Sequence, residues 1–336
     1  MNKYILLNPG PVNLHHLVRE AAVKIDLCHR QKEFIDILMS AKGKLKKIYN
    51  RNDCNVSILH GSGSLAVESG LSTFVTGNVL VINNGHYCER IYKSLKNNPN
   101  VTYIHNDSYP FGAYPDIERI LELLKKRQYD WITVVHHETS TGILNPLKDI
   151  CDMASAFKVK VFVDAVSSFG GHDVDNRADV VCSNSNKCLE SIPGAAIVIW
   201  SKFLNPSKNV IPYLDANLYV ADSMPCTLNT NAVMALDVAL DLFLKEDRYE
   251  RYRLLAKCIR EEGSKYFDLF LKDNYSNILT SFCVKDNEYD KLCNAAMENG
   301  FVIYPGKKSS QFRISNLGVS LTNDKIKQLF SVLGSV

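Results

Sequence analysis

Two apolar runs, each ending on an ionisable residue, constrain the fold of this chain more than any other feature. Residues 159–164 read V-K-V-F-V-D and end on Asp164, and residues 178–187 read A-D-V-V-C-S-N-S-N-K and end on Lys187. Near-continuous apolar runs bounded by small residues are typical of strands buried on both faces, as in a parallel sheet. Open α/β sheets bind ligands at the carboxyl ends of such strands, so we expect Asp164 and Lys187 at one site.

Further apolar runs precede these two, and stretches with helical character separate them. The predicted strands lie at 56–59, 79–83, 101–104 and 131–136. Strands that alternate with helices predict βαβ units, so we expect an α/β fold with a large, mostly parallel sheet domain and a smaller C-terminal α/β domain. The length of 336 residues fits this division. We place the large domain at 1–230, with about the first fifteen residues packing on the small domain, and the small domain at 231–336.

The C-terminal third is predicted from periodicity and stop signals. An amphipathic helix is followed by a second helix that ends near Leu271. We expect strands at 277–284, 301–304 and 311–315, and the last two are joined by a Pro-Gly turn. Thr322 is a suitable N-cap for a final helix.

The overall composition excludes several classes of protein. The formal net charge is +3 and the charges are interspersed, so there is no basic stripe for nucleic acid. The ten cysteines show neither C-x-x-C pairs nor a His/Cys metal spacing, so we predict no metal site. The apolar stretches are too short for a signal peptide or a membrane span. We therefore expect a cytoplasmic protein with free thiols.

A Gly- and Ser-rich turn follows the first predicted strand of the large domain. Residues 60–64 read H-G-S-G-S and precede a helix-forming stretch. Glycines let the backbone approach a ligand closely, and the N–H groups at a helix start attract anions. Ser62 and Ser64 add hydroxyl donors on either side of Gly63. The turn predicts a phosphate site, with an ordinary strand-to-helix turn as the alternative.

Three further side chains are candidates for ligand contact. Tyr87 follows a strand and can lie flat on an aromatic ring, although packing is the commoner role of such a residue. Thr139 lies in the polar turn H-E-T-S-T-G, where its hydroxyl can bond a ligand or its own backbone. Arg313 is the only charge in Q-F-R-I-S, and its guanidinium can grip a carboxylate or point outward from its strand.

The pairing of Lys187 with Asp164 gives these candidates a chemistry. A buried carboxylate must be paired or lose its charge, although Asp also commonly caps helices. A lysine in a partly dry site has a depressed pKa and becomes a usable nucleophile. Pyridoxal phosphate (PLP) requires an amine for its aldehyde and an anion under its pyridine nitrogen. The two residues therefore predict a PLP site.

Short motifs spaced along nearly the whole chain carry a family resemblance. They are L-N-P-G-P (7–11), G-S-G-S-x-A-V-E (61–68), N-G-H-Y (84–87), H-E-T-S-T-G-I-L-N-P (137–146), V-D-A-V-S-S-F-G-G (163–171), S-N-S-N-K-C (183–188), G-F-V-I-Y-P-G-K (300–307) and F-R-I-S-N-L-G (312–318). In this order they resemble the class V aminotransferases, which use PLP and have fold type I. No single motif is decisive, but their number and order are specific for the superfamily.

The resemblance implies a role for each candidate residue. It makes Lys187 the Schiff-base lysine and Asp164 the partner of the pyridine nitrogen. It also implies that Ser62, Gly63 and Ser64 form the phosphate cup. Tyr87 matches the aromatic residue that stacks on the ring, and Val166 matches the residue packed under the ring. Thr139 matches the donor to the phenolate oxygen, and Asn186 matches the residue just before the lysine. Arg313 matches the arginine that binds a substrate carboxylate.

Three motifs are typical of the phosphonate branch of this family: E-T-S-T-G-x-L-N-P, D-A-x-S-S-F-G-G and V-I-Y-P-G-K. Enzymes of that branch move the amino group of 2-aminoethylphosphonate to pyruvate, giving phosphonoacetaldehyde and alanine. A serine- or alanine–glyoxylate-type aminotransferase is the first alternative. A PLP lyase such as a cysteine desulfurase requires a cysteine on a mobile loop, whereas Cys283 and Cys293 fall in a predicted strand and helix. A member that binds PLP only structurally is the third alternative.

The resemblance also implies a homodimer with shared active sites. Thr227 aligns with a phosphate ligand that reaches the site from the neighbouring subunit. The stretch around 205–229 is shortened, however, and T-L-N-T replaces the family's Thr-x-Pro pattern. Residues 26–34 resemble the family's N-terminal active-site segment, and we predict that His29 or Arg30 binds the phosphonate end of the substrate.

Overall fold

The computed structural model of the protein describes residues 3–285, 288–306 and 310–336. The strands in these ranges are β1 (Ile5–Leu6), β2 (Cys54–Gly61), β3 (Gly77–Asn83), β4 (Val101–Ser108), β5 (Trp131–Val135), β6 (His137–Glu138), β7 (Ile143–Leu144), β8 (Lys160–Asp164), β9 (Val180–Asn184), β10 (Gly194–Ser201), β11 (Leu279–Cys283), β12 (Phe301–Val302), β13 (Tyr304–Pro305) and β14 (Gln311–Ser315). The α-helices are α1 (His16–Val23), α2 (Lys32–Tyr49), α3 (Gly63–Phe74), α4 (His86–Lys96), α5 (Ile117–Lys126), α6 (Leu147–Phe157), α7 (Thr230–Leu244), α8 (Arg248–Gly263), α9 (Tyr289–Glu298) and α10 (Asn323–Leu333).

Among the described residues, the central sheet has seven strands in the order β2-β10-β9-β8-β5-β3-β4. The pairings from β9 across to β4 are parallel, whereas β10 is antiparallel to both of its neighbours. Valine, isoleucine and other apolar residues fill β5, β8 and β9, and nearly all of these residues are buried because helices pack on the sheet. The structure thus confirms the predicted α/β fold with a mostly parallel sheet.

Together with β4, which is parallel to β3, five strands have their carboxyl ends at one edge of this sheet. β2 and β9 are both antiparallel to β10 and therefore share a direction, and β9 is parallel to β8. The five strands end at Gly61, Asn83, Val135, Asp164 and Asn184. The turns that follow them are therefore neighbours in space, which is the arrangement that creates ligand sites in open α/β sheets.

A second, smaller sheet lies in the C-terminal part, where β14 pairs antiparallel with β11 and β13. Its apolar side chains, including Phe282 and Phe312, form a cluster with residues of α8, α9 and α10, among them Phe330 of α10. Leu7 joins this cluster, and β1 pairs in parallel with β12. The N-terminal residues therefore pack on the C-terminal part of the chain.

Two predicted elements differ from the structure. The run 301–304 was expected to form one strand, but β12 pairs with β1 and β13 pairs with β14, in two different sheets. The helix that was expected to reach Leu271 ends at Gly263, because Leu269 forms a bridge to Phe282 in the small sheet. The last residue of the predicted Pro-Gly turn motif, Lys307, lies outside the described residues.

The packing of α7 bears on the predicted division between domains. Val233, Leu236 and Leu240 belong to the same buried cluster as the strands of the central sheet. The helix also contacts α1 and α2. The division between residues 230 and 231 stays a prediction, and the contacts group α7 with the large sheet.

Three further features complete the description of the fold. No helix in the described ranges is long and apolar enough to cross a membrane. No group of three or more His, Cys, Asp or Glu side chains in those ranges could hold a metal ion. The ten cysteines are free thiols, and five of them are buried, where a thiol acts as a small apolar side chain.

Candidate active site

A cleft of about 350 Å³ opens at the carboxyl edge of the central sheet, where the turns after β2, β3, β8 and β9 converge. Eight of the predicted site residues line it: Ser62, Gly63, Ser64, Tyr87, Asp164, Val166, Asn186 and Lys187. The remaining lining residues are Pro11, Val67, Arg90, Ile91, Asn184 and Pro193. The structure therefore brings together side chains that are distant in the sequence.

A larger groove, of about 550 Å³, lies elsewhere on the surface. His136 and Arg177 are among the residues that line it, and Arg177 already pairs with Asp152 and Asp175. Its described lining contains neither a lysine beside a buried carboxylate nor a glycine-rich helix start. The smaller cleft is the candidate site, because it combines both features.

Asp164 is the last residue of β8, and the residue is 8% exposed. Its carboxylate accepts a hydrogen bond of 2.9 Å from the backbone N–H of Val166. Burial raises the pKa of Asp164 to about 6, although the charges of Lys187 and Arg90 oppose this rise. No salt bridge to Asp164 is present among the described residues, so a ligand cation beside it would be well matched.

Lys187 begins a tight turn between β9 and β10, and its carbonyl accepts a 2.9 Å hydrogen bond from the N–H of Glu190. Its side chain is partly buried, and burial lowers the pKa of its amine while Asp164 opposes the change. Gly10 packs on this turn so closely that a Cβ would lie 2.6 Å from the carbonyl oxygen of Asn186. The N-terminal segment thus encloses the lysine, and the lowered pKa favours its neutral, nucleophilic form.

The N-terminus of α3 forms one end of the cleft. Ser62 is the N-cap, and its carbonyl accepts the N–H of Leu65. The N–H groups of Gly63 and Ser64 come before this first helical hydrogen bond, so they can bind an anion. A Cβ at Gly63 would lie 2.5 Å from Cγ1 of Val166, so only glycine lets α3 approach the turn after β8 this closely. The backbone N–H groups and the two hydroxyls are therefore suited to an anion.

Glu138, which the sequence patterns did not single out, fixes the start of α4. Its fully buried carboxylate accepts hydrogen bonds from the N–H groups of Tyr87, at 2.9 Å, and Cys88, at 3.2 Å. It also accepts the hydroxyl of Ser140 at 2.5 Å. A negative charge at a helix N-terminus is stabilising. Glu138 therefore places Tyr87 at the cleft, although 51 positions separate the two residues in the chain.

Arg90 is a second residue that the sequence patterns missed. It lines the cleft three positions after Tyr87 on α4, and its charge lowers the pKa of Asp164. Residues three apart share a helix face. This spacing could have identified Arg90 as a cleft residue, since a helix was expected to follow the strand before Tyr87.

Arg313 lies on β14 and is 2% exposed, outside the set of residues that line the cleft. Its Nε and one terminal nitrogen donate to the carbonyl of Pro305 at 2.9 and 2.5 Å, and the other terminal nitrogen donates to the carbonyl of Thr139 at 2.6 Å. Among the described residues, one N–H group on each terminal nitrogen of Arg313 remains without a hydrogen-bond acceptor. The charge of Arg313 lowers the pKa of Lys187, so the two side chains interact electrostatically.

Three other predicted contacts are also absent from the described cleft lining. Thr139 is buried, and its hydroxyl shares a 2.7 Å hydrogen bond with the hydroxyl of Ser167. Thr227 precedes α7 and Arg30 precedes α2, and both residues are exposed. The roles of these residues stay predictions.

Comparisons with known proteins identify the family of this chain. A family model described as aminotransferase class-V matches residues 14–209. The 2-aminoethylphosphonate–pyruvate transaminase of Phocaeicola vulgatus is 32% identical over an alignment that covers 95% of each chain. The solved structure of an aspartate aminotransferase from Thermus thermophilus superposes with a TM-score of 0.88 at 25% identity, covering 98% of each chain. That of an alanine–glyoxylate aminotransferase from Nostoc sp. superposes with a TM-score of 0.90 at 22% identity, covering 100% of this chain and 95% of the other. The family resemblance is therefore confirmed: this chain belongs to the class V aminotransferases.

Proposed function

We propose that this protein transfers the amino group of 2-aminoethylphosphonate to pyruvate, with PLP as cofactor, and releases phosphonoacetaldehyde and alanine. The relative from Phocaeicola vulgatus is named for this reaction and aligns over 95% of both chains. A second relative named for it, from Bacillus cereus, is 31% identical over 94% of this chain. The observation that carries the proposal is that Lys187, Asp164 and the N-terminus of α3 share one cleft.

The residues of the cleft fit PLP. The N–H groups and hydroxyls at the start of α3 suit its phosphate. The Asp164 carboxylate suits a protonated ring nitrogen, because it is buried and has no salt-bridge partner among the described residues. Tyr87 and Val166 line the same cleft and are proposed to pack on the two faces of the ring. When bound, PLP supplies an aldehyde that links to amines and a ring that withdraws electrons.

Lys187 and Asp164 are the proposed catalytic residues. The Nζ of Lys187 would hold the aldehyde of the cofactor, and this amine is proposed to move a proton away from the donor's carbon. Burial lowers the pKa of this amine, and a general base works best when its pKa is near the working pH. Asp164 is proposed to keep a proton on the ring nitrogen, which favours negative charge next to the ring.

The remaining roles concern substrates and the second subunit. Arg313 keeps an N–H on each terminal nitrogen, and this pair can hold the carboxylate of pyruvate in a bidentate fork. Arg30 is proposed to contact the phosphonate end of the donor. Thr139 and Asn186 are proposed to contact the cofactor near its phenolate oxygen and beside Lys187. A second copy of the chain is proposed to supply Thr227, which gives a homodimer with shared sites.

A serine- or alanine–glyoxylate-type aminotransferase is the second candidate function. The Nostoc enzyme superposes closely on this chain, but at 22% identity the superposition supports a shared fold alone. A lyase is less well supported. Cys283 lies in β11 and Cys293 lies in α9, so each occupies a regular element rather than a loop.

Two experiments test the proposal. Borohydride reduction of the PLP-loaded protein, followed by peptide mapping, should label Lys187, and the Lys187→Arg variant should show neither the label nor turnover. Alanine formation from pyruvate should then be measured with 2-aminoethylphosphonate, serine and other small amines as donors. We expect the highest kcat/KM for 2-aminoethylphosphonate. A higher value for serine would favour the second candidate, and a label on another lysine would refute the assigned mechanism.

A further inference from the structure

A buried carboxylate close to Lys187 connects separate parts of the fold. Glu190 is 3% exposed, and both of its oxygens accept hydrogen bonds from one terminal nitrogen of Arg251, at 2.9 and 3.0 Å. The hydroxyl of Tyr252 donates to the same carboxylate at 2.8 Å, and the backbone N–H of Gly318 donates at 2.7 Å. Burial and this carboxylate both raise the pKa of Tyr252 well above its usual value, so its hydroxyl remains a donor. Such a set of donors is what a buried carboxylate requires.

The same group of residues holds the turn that carries Lys187. The N–H of Glu190 closes this turn on the carbonyl of Lys187, and Glu190 has a φ of +54°, which residues other than glycine seldom adopt. The carbonyl of Cys188 accepts a hydrogen bond from Arg248 at 3.2 Å. It also lies 3.0 Å from the hydroxyl of Tyr252, whose single hydrogen it shares with the carboxylate of Glu190. Side chains of α8 therefore fix the backbone from Lys187 to Glu190.

On its other side the network reaches the strand that carries Arg313. Gly318 follows β14, and Arg313 is the central residue of that strand. Arg251 donates to the carbonyl of Gly318 at 3.0 Å, while Glu190 accepts the N–H of the same residue. The Glu190–Arg251 pair thus holds both backbone groups of Gly318. One ion pair connects the proposed cofactor lysine with the proposed carboxylate-binding arginine.

We propose that Glu190 is a positioning residue that sets the orientation of Lys187 relative to Arg313, and that it thereby determines how tightly a 2-oxo acid is held for reaction. This inference rests on the proposed function, because it uses the roles given there to Lys187 and Arg313. Glu190 is not among the described residues that line the cleft, so it acts through the backbone on either side. A hydrogen-bonded carboxylate–arginine pair suits this role, since it fixes geometry as well as charge.

Glu246 offers a matched control. Its carboxylate pairs with Arg251 and lies 3.1 Å from Arg248, and its side chain is 35% exposed. Its described bonds go to these arginines and not to the Lys187 turn or Gly318. Glu246→Gln therefore removes a charge from the same arginines and leaves the connection between Lys187 and Arg313 intact.

The test compares Glu190→Gln, Glu246→Gln and Arg313→Lys in the PLP-loaded protein. Oxamate, an unreactive analogue of pyruvate, reports on the carboxylate site through its Kd in calorimetry. Methylamine has no carboxylate and reports on Lys187 through the rate at which it changes the visible absorbance of the bound cofactor. For Glu190→Gln we expect the Kd of oxamate and the KM of pyruvate to rise about tenfold, and the methylamine rate to change less than about threefold. For Glu246→Gln we expect all three quantities within about twofold of the wild type.

Arg313→Lys separates the possible failures. If it leaves oxamate binding unchanged, the carboxylate site of the proposed function is wrong and the positioning role falls with it. If Arg313→Lys weakens oxamate binding but Glu190→Gln does not, or if Glu246→Gln weakens it equally, Glu190 has no positioning role. Should Glu190→Gln fail to fold with PLP, Tyr252→Phe removes one donor from the same carboxylate. An oxamate Kd raised about threefold in that variant supports the role, and an unchanged Kd overturns it.

Discussion

Asp164 should lower the stability of the protein when PLP is absent. Burial raises its pKa from 3.8 to about 6. A carboxyl whose pKa is higher in the folded than in the unfolded state favours folding while it is protonated. This contribution is complete below pH 3.8 and is lost as the pH rises through about 6. At 1.36 kcal/mol per pH unit, the difference between the two pKa values corresponds to about 3 kcal/mol.

Asp164→Asn tests this reasoning with little change in volume. The amide is neutral, and its oxygen can still accept the N–H of Val166. In the PLP-free protein we expect the variant to exceed the wild type in free energy of unfolding by about 3 kcal/mol at pH 8, and by about half as much at pH 5. With PLP present the ring nitrogen loses its anion, so we expect weaker cofactor binding. Urea denaturation between pH 5 and 8 gives the first quantity, and PLP titration gives the second.

Asp179→Asn is the control for cofactor binding. Burial also raises the pKa of Asp179, and its carboxylate accepts the N–H of Val161 at 2.8 Å, but it is not among the described residues of the cleft. Its replacement should therefore leave PLP affinity unchanged. The reasoning predicts that Asp164→Asn has a higher free energy of unfolding than the wild type at pH 8 and that this difference shrinks as the pH falls. If the two free energies are equal at pH 8, or if the difference grows as the pH falls, the buried charge of Asp164 does not destabilise the protein. Undiminished PLP affinity in Asp164→Asn would remove this residue from the cofactor site.

Two further predictions concern the residues that shape the cleft. Gly63→Ala should weaken PLP binding about tenfold or more, because its Cβ would lie 2.5 Å from Val166 and overpacking costs ~1–3 kcal/mol. Gly43→Ala on the exposed face of α2 is the control, because its Cβ would meet none of the described residues within 4 Å. It should stabilise the protein by ~0.5–1 kcal/mol and leave PLP titrations unchanged. Equal PLP affinities in the two variants would contradict the proposed close approach of α3 to Val166. Glu138→Gln should lower the free energy of unfolding by ~1–3 kcal/mol, because an amide cannot accept at both oxygen positions; an unchanged urea midpoint would count against its role at the start of α4.

The sequence predicted the central sheet well because its signal is local. A strand buried on both faces is apolar at most positions, and such runs can be located without knowing their neighbours. The ends of those runs placed Asp164 and Lys187 at one edge of the sheet. The turn of Ser62, Gly63 and Ser64 was predicted for the same reason, since it lies between a clear strand and a clear helix.

Features that depend on distant partners could not be predicted in this way. The run 301–304 has a uniform strand pattern, yet its first half pairs with β1 and its second half pairs with β14. Glu138 belongs to the motif H-E-T-S-T-G, but its contact with Tyr87 depends on how two strands are placed side by side. Arg313 matched a family position, whereas its bonds to the carbonyls of Pro305 and Thr139 appear only in the folded chain.

The buried carboxylates of this protein differ in how many donors surround them, and this difference separates their roles. Glu138 accepts from two backbone N–H groups of α4 and from Ser140, and Glu190 accepts from Arg251, Tyr252 and Gly318. Asp164 accepts one hydrogen bond among the described residues, and burial raises its pKa. A buried carboxylate that accepts several hydrogen bonds from the protein holds structural elements together. A buried carboxylate with few such bonds lowers the stability of the fold until a ligand donates to it. By this criterion we propose Asp164 as the ligand-binding carboxylate, and Glu138 and Glu190 as the carboxylates that hold the two turns facing it.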